Sequence, residues 1–173
     1  CLRNKKQLTI APTSAGKSLI LYILIRYLLE KNDTFRFLMI VPTTGLVSQM
    51  YGDFKDYSSA NGWDVHSLMH KIVGGEDKRT EKPIVCSTWQ SIYKLQKQYF
   101  NSFDVLICDE AHKLSADSIV GIYEKATEVK YRFGCTGTIN DTKCHALVLT
   151  GLTGQIRQVI TTKELMDRGQ VSD

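Results

Sequence analysis

Two short runs carry residue types that do chemistry together. The first is Ala11-Pro12-Thr13-Ser14-Ala15-Gly16-Lys17-Ser18 and the second is Asp109-Glu110-Ala111-His112. The first matches G-x-x-x-x-G-K-[ST] except at its first position, where Ala11 stands for glycine. In such a loop Gly16 lets backbone N–H groups turn inward and approach phosphates closely. A helix starting near Lys17 aims its positive end at the β-phosphate. Lys17 reaches the β- and γ-phosphates, Ser18 offers a hydroxyl to Mg²⁺, and Pro12, Thr13, Ser14 and Ala15 complete the cradle. The expected ligand is a nucleoside triphosphate, foremost Mg-ATP.

The second run sets two carboxylates side by side. Adjacent carboxylates repel unless a cation or a proton reconciles them. Mg²⁺ on a triphosphate is the natural cation. Asp109 then holds the metal, usually through water, and Glu110 orients and deprotonates the attacking water. A solvated acidic turn is the plain alternative. The buried-strand pattern of residues 104–108 leading into the pair counts against it, because open α/β sheets bind ligands at the carboxyl ends of strands.

The elements that must position these runs follow from periodicity. Short apolar or β-branched stretches at residues 7–11, 36–41, 65–69, 84–87, 104–108, 131–135 and 155–160 read as strands. Helical patterns fall at residues 17–31, 45–59, 89–98, 115–128, 143–149 and 162–168. Strands such as Phe37-Leu38-Met39-Ile40-Val41 are apolar on both faces, as parallel strands under helices are. The alternation predicts a doubly wound α/β fold with a mostly parallel sheet and helices on both faces.

Length and composition set the outer bounds. The chain has 173 residues, enough for one domain with a real core, and 43% hydrophobic with 23% charged residues excludes a disordered chain. The apolar-rich run at residues 19–29 is too short to span a bilayer and contains Arg26, so no membrane partner is expected. The five cysteines form no C-x-x-C pair, which reads as reduced, buried thiols of an intracellular protein. A net charge of +4 permits nucleic-acid binding without requiring it.

The two runs together resemble motifs I and II of superfamily-2 helicases and translocases, the second reading as a DEAH box. Ala is frequent in that family at the place of Ala11. Further matches occur in the family's order: Val41 to Met50 is similar to motif Ia, Gly74-Gly75 to the double-glycine element, Ser87-Thr88-Trp89-Gln90 to motif Ib, and Thr136-Gly137-Thr138 to motif III. The resemblance implies a RecA-like P-loop NTPase domain over residues 1–160. Residues 161–173 would begin a linker to a second RecA-like domain. It also implies that Pro42, Thr43, Thr44, Gly74, Gly75, Thr88 and Gln90 line a nucleic-acid strand through its sugar-phosphate track. Thr136, Gly137 and Thr138 would couple that track to the ATP site, with His112 between the two. Each later element has a plain reading by itself: a threonine cap, a glycine loop, a turn. Their shared order favours the family reading.

Other residues stay ordinary. Lys94 and Lys97 read as a solvated face, and Trp89 and Tyr93 as core-facing. His66 and His70 have no third ligand in view. Relatives often carry an arginine near Asn140, and none stands here.

The resemblance makes the chain the first motor domain of an ATP-dependent DNA helicase acting on branched DNA in recombination, repair or replication restart. Its partners would be DNA, held mainly by its backbone, and a second RecA-like domain. Without the adenine-reading segment and an arginine finger, these residues alone should bind Mg-ATP weakly, hydrolyse it very slowly and unwind nothing. A duplex-DNA translocase of restriction or remodelling type and an RNA helicase are the alternatives. A non-catalytic nucleotide-binding module is a further one, against which Lys17, Asp109 and Glu110 all speak.

Overall fold

The computed structural model describes residues 5–10, 16–110, 116–136 and 154–158. Its elements in chain order are β1 (Lys6–Ile10), α1 (Lys17–Lys31), β2 (Phe37–Val41), α2 (Thr44–Ser58), α3 (Val65–Leu68), β3 (Met69–Ile72), β4 (Ile84–Thr88), α4 (Trp89–Ile92), α5 (Lys97–Phe100), β5 (Val105–Cys108), α6 (Ala116–Lys125), β6 (Tyr131–Thr136) and β7 (Gln155–Gln158). The strands form one sheet in the order β3-β4-β2-β5-β6-β1-β7, and every pairing is parallel.

The expected doubly wound α/β fold is what forms. Side chains alternate across a strand, so the wholly apolar β2 feeds two layers. Phe37, Met39 and Val41 join Leu21, Ile25 and Leu28 of α1 and Val47, Met50 and Phe54 of α2 on one face. Leu38 and Ile40 join Ile92 of α4, Phe100 of α5 and Ile119, Ile122 and Tyr123 of α6 on the other. All five β2 residues are buried, and each large apolar side chain so placed stabilises by about 1.5–3 kcal/mol.

Two expected elements differ. The strand expected at residues 65–69 is a single helical turn that hands over to β3 at Met69. The Asp64 carboxylate accepts the His66 N–H at 3.0 Å and the Ser67 hydroxyl at 2.6 Å, and this cap overrides the β-branched Val65. The helix expected at residues 89–98 is two separate turns, α4 and α5. Gln96 between them is extended, at φ −73° and ψ 161°, and the Tyr93 carbonyl accepts Lys125 Nζ at 2.5 Å. The expected helices at residues 143–149 and 162–168 lie outside the described residues, as does the boundary between residues 160 and 161. Among the described residues no helix is long and apolar enough to cross a membrane.

Candidate active site

Because every strand is parallel, all the carboxyl ends meet one edge of the sheet. The order of strands divides that edge. Candidate phosphate-handling residues follow β1, β5 and β6, while candidate nucleic-acid residues follow β2, β3 and β4.

On the first half, register draws the ends together: Ile10 of β1 lies opposite Thr136 of β6, and Cys108 of β5 lies opposite Gly134. Gly16 starts α1 at φ 69°, in the left-handed region that favours glycine, and its carbonyl accepts the Ile20 N–H at 3.0 Å. Lys17 follows in the first turn and is 6% exposed, as are Asp109 and Glu110. The Asp109 N–H donates to the Ile40 carbonyl at 2.9 Å, which extends the β2–β5 pairing to the acidic pair. Glu110 then adopts φ 48°, the left-handed region, at a cost of about 1–2 kcal/mol for a residue with a Cβ. The outcome of that turn is an ion pair: the Lys17 ammonium donates to Glu110 Oε1.

Burying two charges costs several kcal/mol each, and pairing only offsets it. The pair is therefore a weak stabiliser and well suited to a site whose ligand recruits one partner.

Three thiols register the charge gathered here. Burial pushes Cys86 and Cys108 up to about 12 from an ordinary 9.0, and the Asp109 carboxylate adds to both shifts, against a Tyr123 hydrogen bond that lowers Cys108. Burial also pushes Cys135 up. Asp109 adds to this, Lys17 opposes it and Glu110 reinforces it. One thiol on β6 thus lies in the field of Lys17 and both carboxylates.

Ser18 Oγ lies 2.8 Å from Tyr57 Oη, a contact that no sequence spacing signals. Thr136, the last residue of β6, is fully buried. Among the described residues no group of three or more His, Cys, Asp or Glu side chains could hold a metal ion. A hard cation that keeps its waters and takes phosphate oxygens needs only a hydroxyl and a carboxylate from protein, and Ser18 and Asp109 are of that kind. His70 instead places Nε2 2.7 Å from the Asp77 carbonyl.

On the second half of the edge, Thr43 and Thr44 are exposed while Pro42 is buried. The Thr43 hydroxyl caps α2 by accepting the Leu46 N–H at 3.3 Å. Gly74 and Gly75 are exposed and both have positive φ, 59° and 94°. A Cβ on either would meet open space, so the turn, not crowding, calls for glycine. Thr88 is buried, with its hydroxyl 2.9 Å from that of Ser91, and Gln90 is exposed. Lys94 and Lys97 are exposed. Trp89 packs partly into the core, whereas Tyr93 stays 37% exposed with its ring 5.6 Å from the Trp89 ring. Pro12, Thr13, Ser14, Ala15, His112, Gly137, Thr138 and the neighbourhood of Asn140 lie outside the described residues.

Known proteins resemble this chain over most of its length. The family model described as the res subunit of type III restriction enzymes matches residues 2–141. The ATP-dependent DNA helicase uvsW of Enterobacteria phage T4 is 38% identical over 176 aligned residues, covering 99% of this chain and 34% of that protein. The probable ATP-dependent RNA helicase DDX52 of Rattus norvegicus is 28% identical over 140 residues, covering 74% of this chain and 23% of that one. Among solved structures, the UvsW helicase from bacteriophage T4 superposes with a TM-score of 0.78 at 34% identity, over 90% of this chain and 55% of that chain. The chain thus spans about a third or less of the length of these curated relatives.

Proposed function

From the premise that the chain belongs to the family of the type III restriction enzyme res subunit, as a first RecA-like domain of superfamily 2, we propose that it binds and hydrolyses Mg-ATP to drive a helicase acting on branched DNA. The observation that carries the reading is the buried Lys17–Glu110 pair at the carboxyl edge of a parallel sheet. It sets the phosphate-binding cation against the water-activating base.

Each residue then has a task. Lys17 turns from Glu110 to the β- and γ-phosphates, at the positive start of α1. Glu110, released from Lys17, accepts a proton from the attacking water. Ser18 Oγ and the Asp109 carboxylate would hold Mg²⁺, which would supply neutralisation of the charge on the phosphate oxygens. The exposed Thr43, Thr44, Gly74, Gly75 and Gln90 face a sugar-phosphate track beyond β2, β3 and β4, and Pro42 and Thr88 support it from within. Thr136, at the end of β6 between β5 and β1, is assigned with Gly137, Thr138 and His112 to coupling the ATP site to that track. A second RecA-like domain closes the site and supplies the arginine that speeds phosphoryl transfer.

The higher identity to a DNA helicase than to an RNA helicase supports DNA as the track. ATPase assays on the full-length protein test this, with forked or four-way DNA, linear duplex and single-stranded RNA as separate additions. Forked DNA is expected to stimulate most. Equal or greater stimulation by plain duplex would favour a translocase, and stimulation by RNA alone would refute the DNA assignment.

A further inference from the structure

A serine hydroxyl that gives a lone pair to a cation still carries a proton, which needs an acceptor on another side. For Ser18, Tyr57 Oη at 2.8 Å from Oγ is placed to be that acceptor. The tyrosine is not a loose surface group. Its ring lies 5.5 Å from that of Tyr22, and its carbonyl accepts Asn61 Nδ2 at 2.9 Å. Tyr22 is itself fixed between the rings of Phe54 at 5.4 Å and Trp63 at 5.2 Å. Arg26 lies over the Tyr22 and Trp63 rings and donates Nη1 to the Tyr22 hydroxyl at 3.2 Å. A packed scaffold joining α1, α2 and the turn after α2 therefore presents one hydroxyl to Ser18.

Resting on the assignment of Ser18 to the nucleotide's Mg²⁺, we propose that Tyr57 is a positioning residue for the divalent cation: by accepting the Ser18 proton it turns the serine lone pair toward the metal. Partners of this kind orient the groups that hold a metal, and their loss weakens binding without abolishing it. Removing Tyr57 Oη frees the serine rotor and forfeits about one neutral hydrogen bond, equivalent to about a fivefold loss.

The test compares wild type, Tyr57→Phe, Ser18→Ala and the double variant in the full chain, using equilibrium binding of a fluorescent ATP analogue. Each is measured across a MgCl₂ titration and in excess EDTA. Tyr57→Phe should raise the Mg²⁺ concentration for half-maximal binding about fivefold and leave affinity in EDTA unchanged. In the Ser18→Ala background it should add nothing. An unchanged Mg²⁺ requirement overturns the proposal. Equal losses with and without Mg²⁺ also overturn it, since they mark a packing role alone. A lowered requirement overturns it as well, because Tyr57 would then compete with the metal for Ser18. If wild type itself binds the analogue without any response to Mg²⁺, the assignment of Ser18 as a metal ligand falls first.

Discussion

Glu110→Gln separates two tasks that the Lys17–Glu110 contact combines. Gln keeps the shape and one acceptor oxygen but removes the charge. The two side chains are 7% and 8% exposed, so water screens the pair little. The pair adds little net stability, but removing one charge leaves the buried Lys17 ammonium without its counter-charge, and about 1.5–3 kcal/mol is the expected loss in stability of the ligand-free protein. The same energy should reappear as nucleotide affinity. ATP must displace Glu110 to reach Lys17, and in the variant it displaces only a neutral amide. Binding of a fluorescent ATP analogue should therefore tighten by about tenfold to a hundredfold, while hydrolysis in the full-length protein disappears. Urea unfolding without ligand, equilibrium binding and phosphate release measure the three quantities. An unchanged hydrolysis rate would sink the assignment of Glu110 as base. Unchanged stability together with unchanged affinity would show that the ion pair holds nothing back.

Alkaline stability follows from the buried thiols. Cys86, Cys108 and Cys135 all have folded pKa values above the ordinary 9.0. Their contribution is fully present below about pH 9 and is lost as pH rises toward the folded values, because only the unfolded chain releases those protons in that window. Each thiol adds a slope of up to about 1.4 kcal/mol per pH unit there. The urea midpoint should fall clearly between about pH 8.5 and about pH 10.5, and a flat profile would contradict the burial. Thr43→Ala should cost about 0.5–1 kcal/mol through loss of the α2 cap while Thr43→Ser preserves it. Equal unfolding midpoints for the two variants would show that the cap contributes nothing.

Much of this was legible in the residues. The all-apolar runs of β2 and β5 declare strands buried on both faces, and α1 begins and ends where its pattern says, at Lys17 and Lys31. Motif spacing marks Lys17, Asp109 and Glu110 because phosphate chemistry demands those types at strand ends. What spacing cannot reveal is partnership across the fold. Lys17 meets Glu110 only because the element after β1 and the turn after β5 share an edge. Ser18 meets Tyr57 only because α1 and α2 pack on the same face. The two misread elements have the same origin on different scales. The Asp64 cap is local chemistry that outweighs a β-branched residue, and the break after α4 runs through an extended Gln96 beside a contact from Lys125 of a distant helix.

The sheet order has a consequence for how the chain is made. β1 is synthesised before every other described strand, yet its neighbours β6 and β7 are the last of them. β3, β4, β2 and β5 can join soon after they emerge, each beside a strand made close to it in time. β1 must wait for them. Loop-closure entropy makes so distant a pairing late in folding as well as in synthesis. Lys17 after β1 and Glu110 after β5 therefore reach one edge only once β6, which pairs with both strands, has been translated. The Lys17–Glu110 contact is then itself a report that this half of the sheet has closed.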